Sequence, residues 1–188
     1  MSEWLKQGIL PLTMAVALGG AVAAHAVLLY DFEESAEGWE HEHVAPVQGE
    51  VLKGRARHGS SSLAYDFSFG PKSMILHCRV KEGFPRDYSD PAFRGFSAWV
   101  YIPPGALQWE ALMFARTGED WKWSTGRTLK QLQPGWHRVQ ILREEIANLD
   151  HVQDIGVQVI NAHAKTKARI LIDQVEAIMD EAAANAGN

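Results

Sequence analysis

Apolar residues recur at every second position through much of this chain, and few stretches repeat at helical spacing. Leu63, Tyr65, Phe67 and Phe69 share one face of a run whose other face carries Ala64, Asp66 and Ser68. Ile155, Val157 and Val159 oppose Val152, Asp154, Gly156 and Gln158, and form the better core face. With β-branched and aromatic enrichment, this alternation predicts strands at Val27–Glu33, Gly49–Lys53, Ser61–Phe69, Ser73–Lys81, Arg94–Ile102, Glu110–Arg116, Trp121–Ser124, Trp136–Leu142, Val152–Asn161 and Ala168–Ala177. Turn signals separate them at Phe69-Gly70-Pro71, Gly83-Phe84-Pro85, Pro103-Pro104-Gly105 and Pro134-Gly135. One short helix is predicted at Arg143–Asn148. Strand following strand, with no long helical period, predicts an all-β antiparallel sandwich of jelly-roll type with about ten strands, not a βαβ fold.

The N-terminus departs from this alternation. Ile9–Ala24 is an apolar run broken by Pro11, Thr13 and glycines, and Ala24-His25-Ala26 fits small-x-small cleavage. Residues 1–26 therefore read as a signal peptide or, uncleaved, as an N-terminal anchor, although the run is short for a span of about 20 residues. The domain would occupy residues 27–179, and the Ala-rich 180–188 reads as a flexible tail. Removing 26 of 188 residues leaves enough chain for one domain with a sizeable core. The sequence predicts a secreted or cell-surface protein, with membrane attachment only if the leader is retained.

Composition narrows the function. A net charge of −5, without clustered Lys and Arg, argues against nucleic acid, anionic membranes and polyanionic substrates. The single cysteine, Cys78, rules out an intrachain disulfide and reads as a buried thiol within Ser73–Val80. Asp31 and Glu33 fall on one face of the predicted first strand, where they are competent to bind a metal ion.

Several segments in order, LLYDFEESAEGW, HGSSSLAYDFSF, FRGFSAWVYIPPGA, LQPGWHRVQI, IGVQVI and ILIDQVEAI, resemble the galactose-binding-like β-jelly-roll carbohydrate-binding modules. The similarity is greatest to modules attached to β-mannanases and related plant-cell-wall glycosidases, and it spans nearly all of Val27–Ile178. The resemblance implies polysaccharide binding without catalysis. It also implies a structural Ca²⁺ held by Asp31 or Glu33, by carbonyls of the Arg57–Ser60 loop, and by Asp173. Asp173 lies amid Ile170, Leu171, Ile172 and Val175, where an unpartnered charge is costly. Pairing with Arg55, Arg57 or Lys72, or exposure to water, would also satisfy it.

A sugar site needs aromatic platforms beside planar polar groups. Trp99 and Trp136 read as structural, and Trp39 as closing the first loop. Trp109, Trp121 and Trp123 flank the polar Thr117-Gly118-Glu119-Asp120 and are the candidate platforms. Trp121 and Trp123 would share a strand face about 6–7 Å apart. Arg116, Lys122, Gln158 and Asn161 are candidate polar partners, and Tyr101 a further aromatic contact.

Signals for catalysis fail. His41-Glu42-His43 lacks the helical His-Glu-x-x-His spacing of a zinc protease. Glu33-Glu34 and Glu144-Glu145 are adjacent, so on a strand they point apart, whereas a glycosidase needs two carboxylates facing one bond. No Gly-x-Ser-x-Gly elbow is present. The sequence therefore predicts a non-enzymatic polysaccharide-binding module. The alternative is a structural or self-assembling subunit, of a surface layer or filament, built on the same sandwich.

Overall fold

The computed structural model describes residues 24–41, 47–67, 73–79, 86–105, 108–161 and 168–180; of these, residues 24, 47, 48, 67 and 73–79 are described by their backbone. Residues 1–23 of the expected leader, Glu42 and His43, Phe69, and residues 181–188 of the expected tail lie outside the described residues, as does the side chain of Cys78.

Among the described residues the strands are β1 (Ala24–Tyr30), β2 (Glu40–His41), β3 (Val47–Gln48), β4 (Glu50–Lys53), β5 (Ser61–Phe67), β6 (Ser73–Arg79), β7 (Phe93–Ile102), β8 (Trp109–Thr117), β9 (Lys122–Thr125), β10 (Leu129–Leu132), β11 (Gly135–Leu142), β12 (Val152–Asn161) and β13 (Ala168–Asp180). A single 3₁₀ turn, Arg143–Glu145, replaces the helix expected there. It is too short to bury a face, and none of its residues is buried.

The strands form two antiparallel sheets, so the predicted sandwich is the observed fold. One sheet runs β11-β7-β13-β5-β4, with β1 also on β13; it holds the first and last strands and is called the end sheet. The facing sheet runs β10-β8-β12-β6-β2-β3, with β9 on β8. Inward positions build the core: Ala98, Val100 and Ile102 from β7, Ala111, Met113 and Ala115 from β8, Ile155, Val157 and Val159 from β12, and Ile170 and Ile172 from β13. Val152 joins them because β12 shifts register between Val152 and Asp154, which reverses the expected phase at its start.

Aromatic packing closes one end. Trp39, fully buried, meets Tyr30 and Phe32 edge-on at ring separations of 5.8 and 5.7 Å. Burying each such ring contributes about 2 kcal/mol. This packing turns the chain earlier than the sequence suggests. β1 ends at Tyr30, and Phe32 takes a left-handed φ of 57°. The Glu37 carboxylate accepts hydrogen bonds from the Asp31 and Phe32 N–H groups at 3.0 and 3.1 Å. Asp31 and Glu33 are thus in a turn and not on a strand face.

The two ends of the described chain are paired. Ala24, His25 and Ala26 lie opposite Asp180, Met179 and Ile178, so β1 runs through the expected cleavage sequence. An ion pair between Arg94 and Asp180 ties the end of β13 to β7.

Candidate functional site

On β8, the residues out of phase with the core are Glu110, Leu112, Phe114 and Arg116, and they face outward from the facing sheet. Trp123 comes to the same face from β9, where it pairs in register with Arg116. Its ring stacks on Phe114 at 4.2 Å with 12° between planes. Stacking buries Phe114 completely yet leaves 40 % of Trp123 exposed. The Arg116 guanidinium sits 4.7 Å from the Trp123 ring centre and 3.6 Å from the buried Asp154 carboxylate on β12. Asp154 fixes the arginine, and the arginine and Phe114 fix the tryptophan. An aromatic platform held from below loses little side-chain entropy when a ligand lands on it.

Gln158, half-buried, lies four residues along β12 from Asp154 on the same outward face, about 13 Å away by strand rise. It stands opposite Leu112. Gly156, the β12 partner of Phe114, lies between Asp154 and Gln158, so the Trp123–Phe114 stack and the Gln158 amide lie along one outward strip.

The other predicted contacts distribute differently. Trp121 is 39 % exposed, but it lies in the turn before β9 with a φ of 53°, so it does not share a strand face with Trp123. Trp109 is fully buried. It stands in phase with Ala111, Met113 and Ala115, which makes it a core residue and removes it from the ligand set. Asn161, buried opposite Trp109, also points inward. Tyr101 is on the end sheet, on the other side of the molecule, packed on Trp136 at 5.5 Å. Trp99 and Trp136 are half-buried on that outer face and are not part of the core between the sheets. Phe114 and Asp154 were missed as site residues, although each is out of phase with its core neighbours in sequence.

The three metal candidates do not gather. The Glu33 carboxylate accepts hydrogen bonds from the Ser60 hydroxyl at 2.6 Å and from the N–H groups of Ser60 and Ser61 at 2.8 and 3.2 Å. Asp173 Oδ2 accepts from the N–H groups of Arg57 and His58 at 2.6 and 2.9 Å, and Oδ1 from Gln174 N–H at 2.7 Å. The two acids therefore hold one loop, Arg57–Ser61, between β1 and β13. Asp31 instead accepts from the Glu33 N–H at 3.1 Å. Among the described residues no three His, Cys, Asp or Glu side chains form a metal-binding group. A cation needs oxygen ligands, and here amide donors face the carboxylates, so the residues fit a hydrogen-bonded staple better than a bound ion.

The acids titrate in opposite directions. The Ser60 hydroxyl, then the Ser60 and Ser61 amides, hold Glu33 below its usual value. Burial pushes Asp173 up, against the hydrogen bonds of His58, Arg57 and Gln174, and the charge of Glu33 pushes the same way.

Residues 30–174 match a family model described as "Mannanase, galactose-binding domain-like". No curated protein matches the chain. In fold it is similar to the C-terminal family 22 carbohydrate-binding module of Clostridium thermocellum Xyn10B, with a TM-score of 0.59 and 14 % identity over 82 % of this chain and 94 % of that one. The family 11 module of the cellulosomal cellulase Lic26A-Cel5E from Clostridium thermocellum gives a TM-score of 0.55 and 12 % identity over 84 % of this chain and 96 % of that one. A family 11 module from the same organism is known in complex with a β-1,3-1,4-mixed-linked tetrasaccharide. An exo-β-agarase gives a TM-score of 0.62 and 11 % identity, over 82 % of this chain and 25 % of that one.

Proposed function

The chain belongs to the mannanase galactose-binding-domain-like family, and on that premise we propose that it is a non-catalytic module binding a β-linked polysaccharide of mannan or glucan type. The observation that carries the reading is Trp123, exposed on a sheet face and locked on Phe114 beside the Arg116–Asp154 pair. A flat indole meets the C–H face of a pyranose, and Arg116 and Gln158 meet its hydroxyls. The modules it resembles in fold support the same ligand class. Trp121, exposed in the turn before β9, is a secondary contact. Secretion through the apolar leader belongs to the same reading, since plant-wall polysaccharide lies outside the cell.

We propose the hydrogen-bonded staple in place of a structural calcium on Asp31 or Glu33, Asp173 and carbonyls of the Arg57–Ser60 loop; both would use the same oxygens, and chelation separates the two.

Affinity electrophoresis of the full chain through gels containing galactomannan, glucomannan or mixed-linked β-glucan tests the proposed function. Retardation on at least one, abolished in Trp123→Ala and kept in Tyr101→Ala, is the expected result. A folded chain retarded by none of them would overturn the reading.

A further inference from the structure

The outer face of the end sheet holds a second recessed surface. It is a cleft of about 420 Å³ whose walls include Arg57, His58, Trp99, Arg138, Gln174 and Glu176, with His25 from β1 at its margin. That volume falls in the range of about 300–1,000 Å³ usual for small-ligand pockets.

A bulge makes the cleft. β13 loses register with β7 between Asp173 and Glu176, and Gln174 takes a left-handed φ of 49°. Bulges of this kind re-aim side chains beside binding sites. Here the bulge turns Gln174 toward Glu176, and its amide donates to Glu176 Oε1 at 2.7 Å. Glu176 Oε2 accepts from Arg138 at 3.2 Å and from the Ser97 hydroxyl at 3.3 Å. Arg138 also donates to Ser97 Oγ at 2.9 Å. The acid of the cleft is therefore engaged at both oxygens.

Its cations are not all engaged. The Arg57 guanidinium lies 4.3 Å from the Trp99 ring centre and forms no ion pair among the described residues. A guanidinium over an indole face keeps its charge and its five N–H donors, so it can still bind a planar anion. With Glu176 engaged by Gln174, Ser97 and Arg138, Arg57 leaves the cleft with a cation not offset by an ion pair, on a protein whose net charge is −5. Its ligand must bring acceptors and negative charge, together with a ring that can lie beside Trp99.

We infer that this cleft is a second carbohydrate site, for a uronate unit, whose carboxylate is bound by the Arg57 fork and whose ring packs beside Trp99. Arg138, held by Glu176 and Ser97, and Gln174 supply donors to the sugar hydroxyls. The site lies on the sheet opposite Trp123, so one module could hold an acidic and a neutral segment of wall polysaccharide at once. The inference stands apart from the Trp123 face, and the two fail separately.

Chemical-shift titration of the full chain with trigalacturonate, with its methyl ester and with mannotetraose tests it. Arg57→Gln keeps the backbone N–H that holds Asp173 and removes only the fork. Trigalacturonate should bind the parent chain, and Arg57→Gln should weaken it about tenfold, as loss of a charge-assisted hydrogen-bond pair predicts. The methyl ester should show the same loss, and Trp123→Ala should leave trigalacturonate binding unchanged while removing retardation on neutral polysaccharide. Three results would overturn the inference: no binding by the folded chain, equal binding of acid and ester, or loss in Trp123→Ala without loss in Arg57→Gln.

Discussion

Ser60 presents both its N–H and its hydroxyl to the Glu33 carboxylate, so the folded chain holds this acid below its ordinary value of 4.5. A carboxyl with a depressed folded pKa adds stability above its unfolded pKa, and that stability is lost as pH falls through the folded one. Glu33→Gln should therefore lower the melting temperature at neutral pH, and the gap from the parent should close as pH drops below 4.5. Melting curves over a pH series check this; a gap constant with pH would mean the charge of Glu33 has no part in the staple. Asp173 works the other way. Its folded value is raised from 3.8, so its contribution is present at low pH and declines as pH rises through the folded value. Phase along a strand made some of these residues legible: Trp109 repeats with Ala111, Met113 and Ala115, so its burial could be read from the sequence. The early turn at Phe32 could not, because it depends on a carboxylate five residues on and an indole seven residues on.

The loop between β4 and β5 is the element on which the two acids converge. Gly54 and Gly59 both have positive φ, 81° and 67°, so an alanine at either costs about 1 kcal/mol of backbone strain. They differ in what a side chain would meet. A Cβ at Gly54 enters open space, whereas one at Gly59 runs into the Glu33 carboxylate. Gly59→Ala should therefore lower the urea midpoint more than Gly54→Ala does, because it displaces the Glu33 carboxylate from the Ser60 and Ser61 donors. Equal costs would show that the Glu33 contacts add nothing. At this scale the long strands were legible, since alternation over seven or more residues fixes both existence and face. Of the short ones, β4 and β9 were legible to within a residue, but β2, β3 and β10 were not. β2 and β3 have two residues each and β10 four, too few to show a period. A start one residue late in β9 was enough to put Trp121 in a turn and separate it from Trp123.

For the molecule as a whole, the staple decides how the sandwich is closed. Calcium ligation predicts that EDTA lowers the melting temperature and that added Ca²⁺ restores it. A direct hydrogen-bonded closure predicts an unchanged melt, and the amide donors on Glu33 and Asp173 make that the expected result. The layered fold was the most legible feature, because turn punctuation and period-two alternation suffice to specify an all-β sandwich. The use of its two outer faces was less legible, because the turn that displaces Trp121 and the β13 bulge that re-aims Gln174 leave no mark in the alternation.

The pairing of β1 with β13 bears on how the module carries mechanical load. Ala24 lies across from Asp180 in an antiparallel pair, so both ends of the described chain leave from one corner of the end sheet. Tension applied through those two ends would not shear the strands past one another. It would open the described ladder from the Ala24–Asp180 pair inward, loading the hydrogen bonds in turn, with the Arg94–Asp180 ion pair beside the pair that parts first.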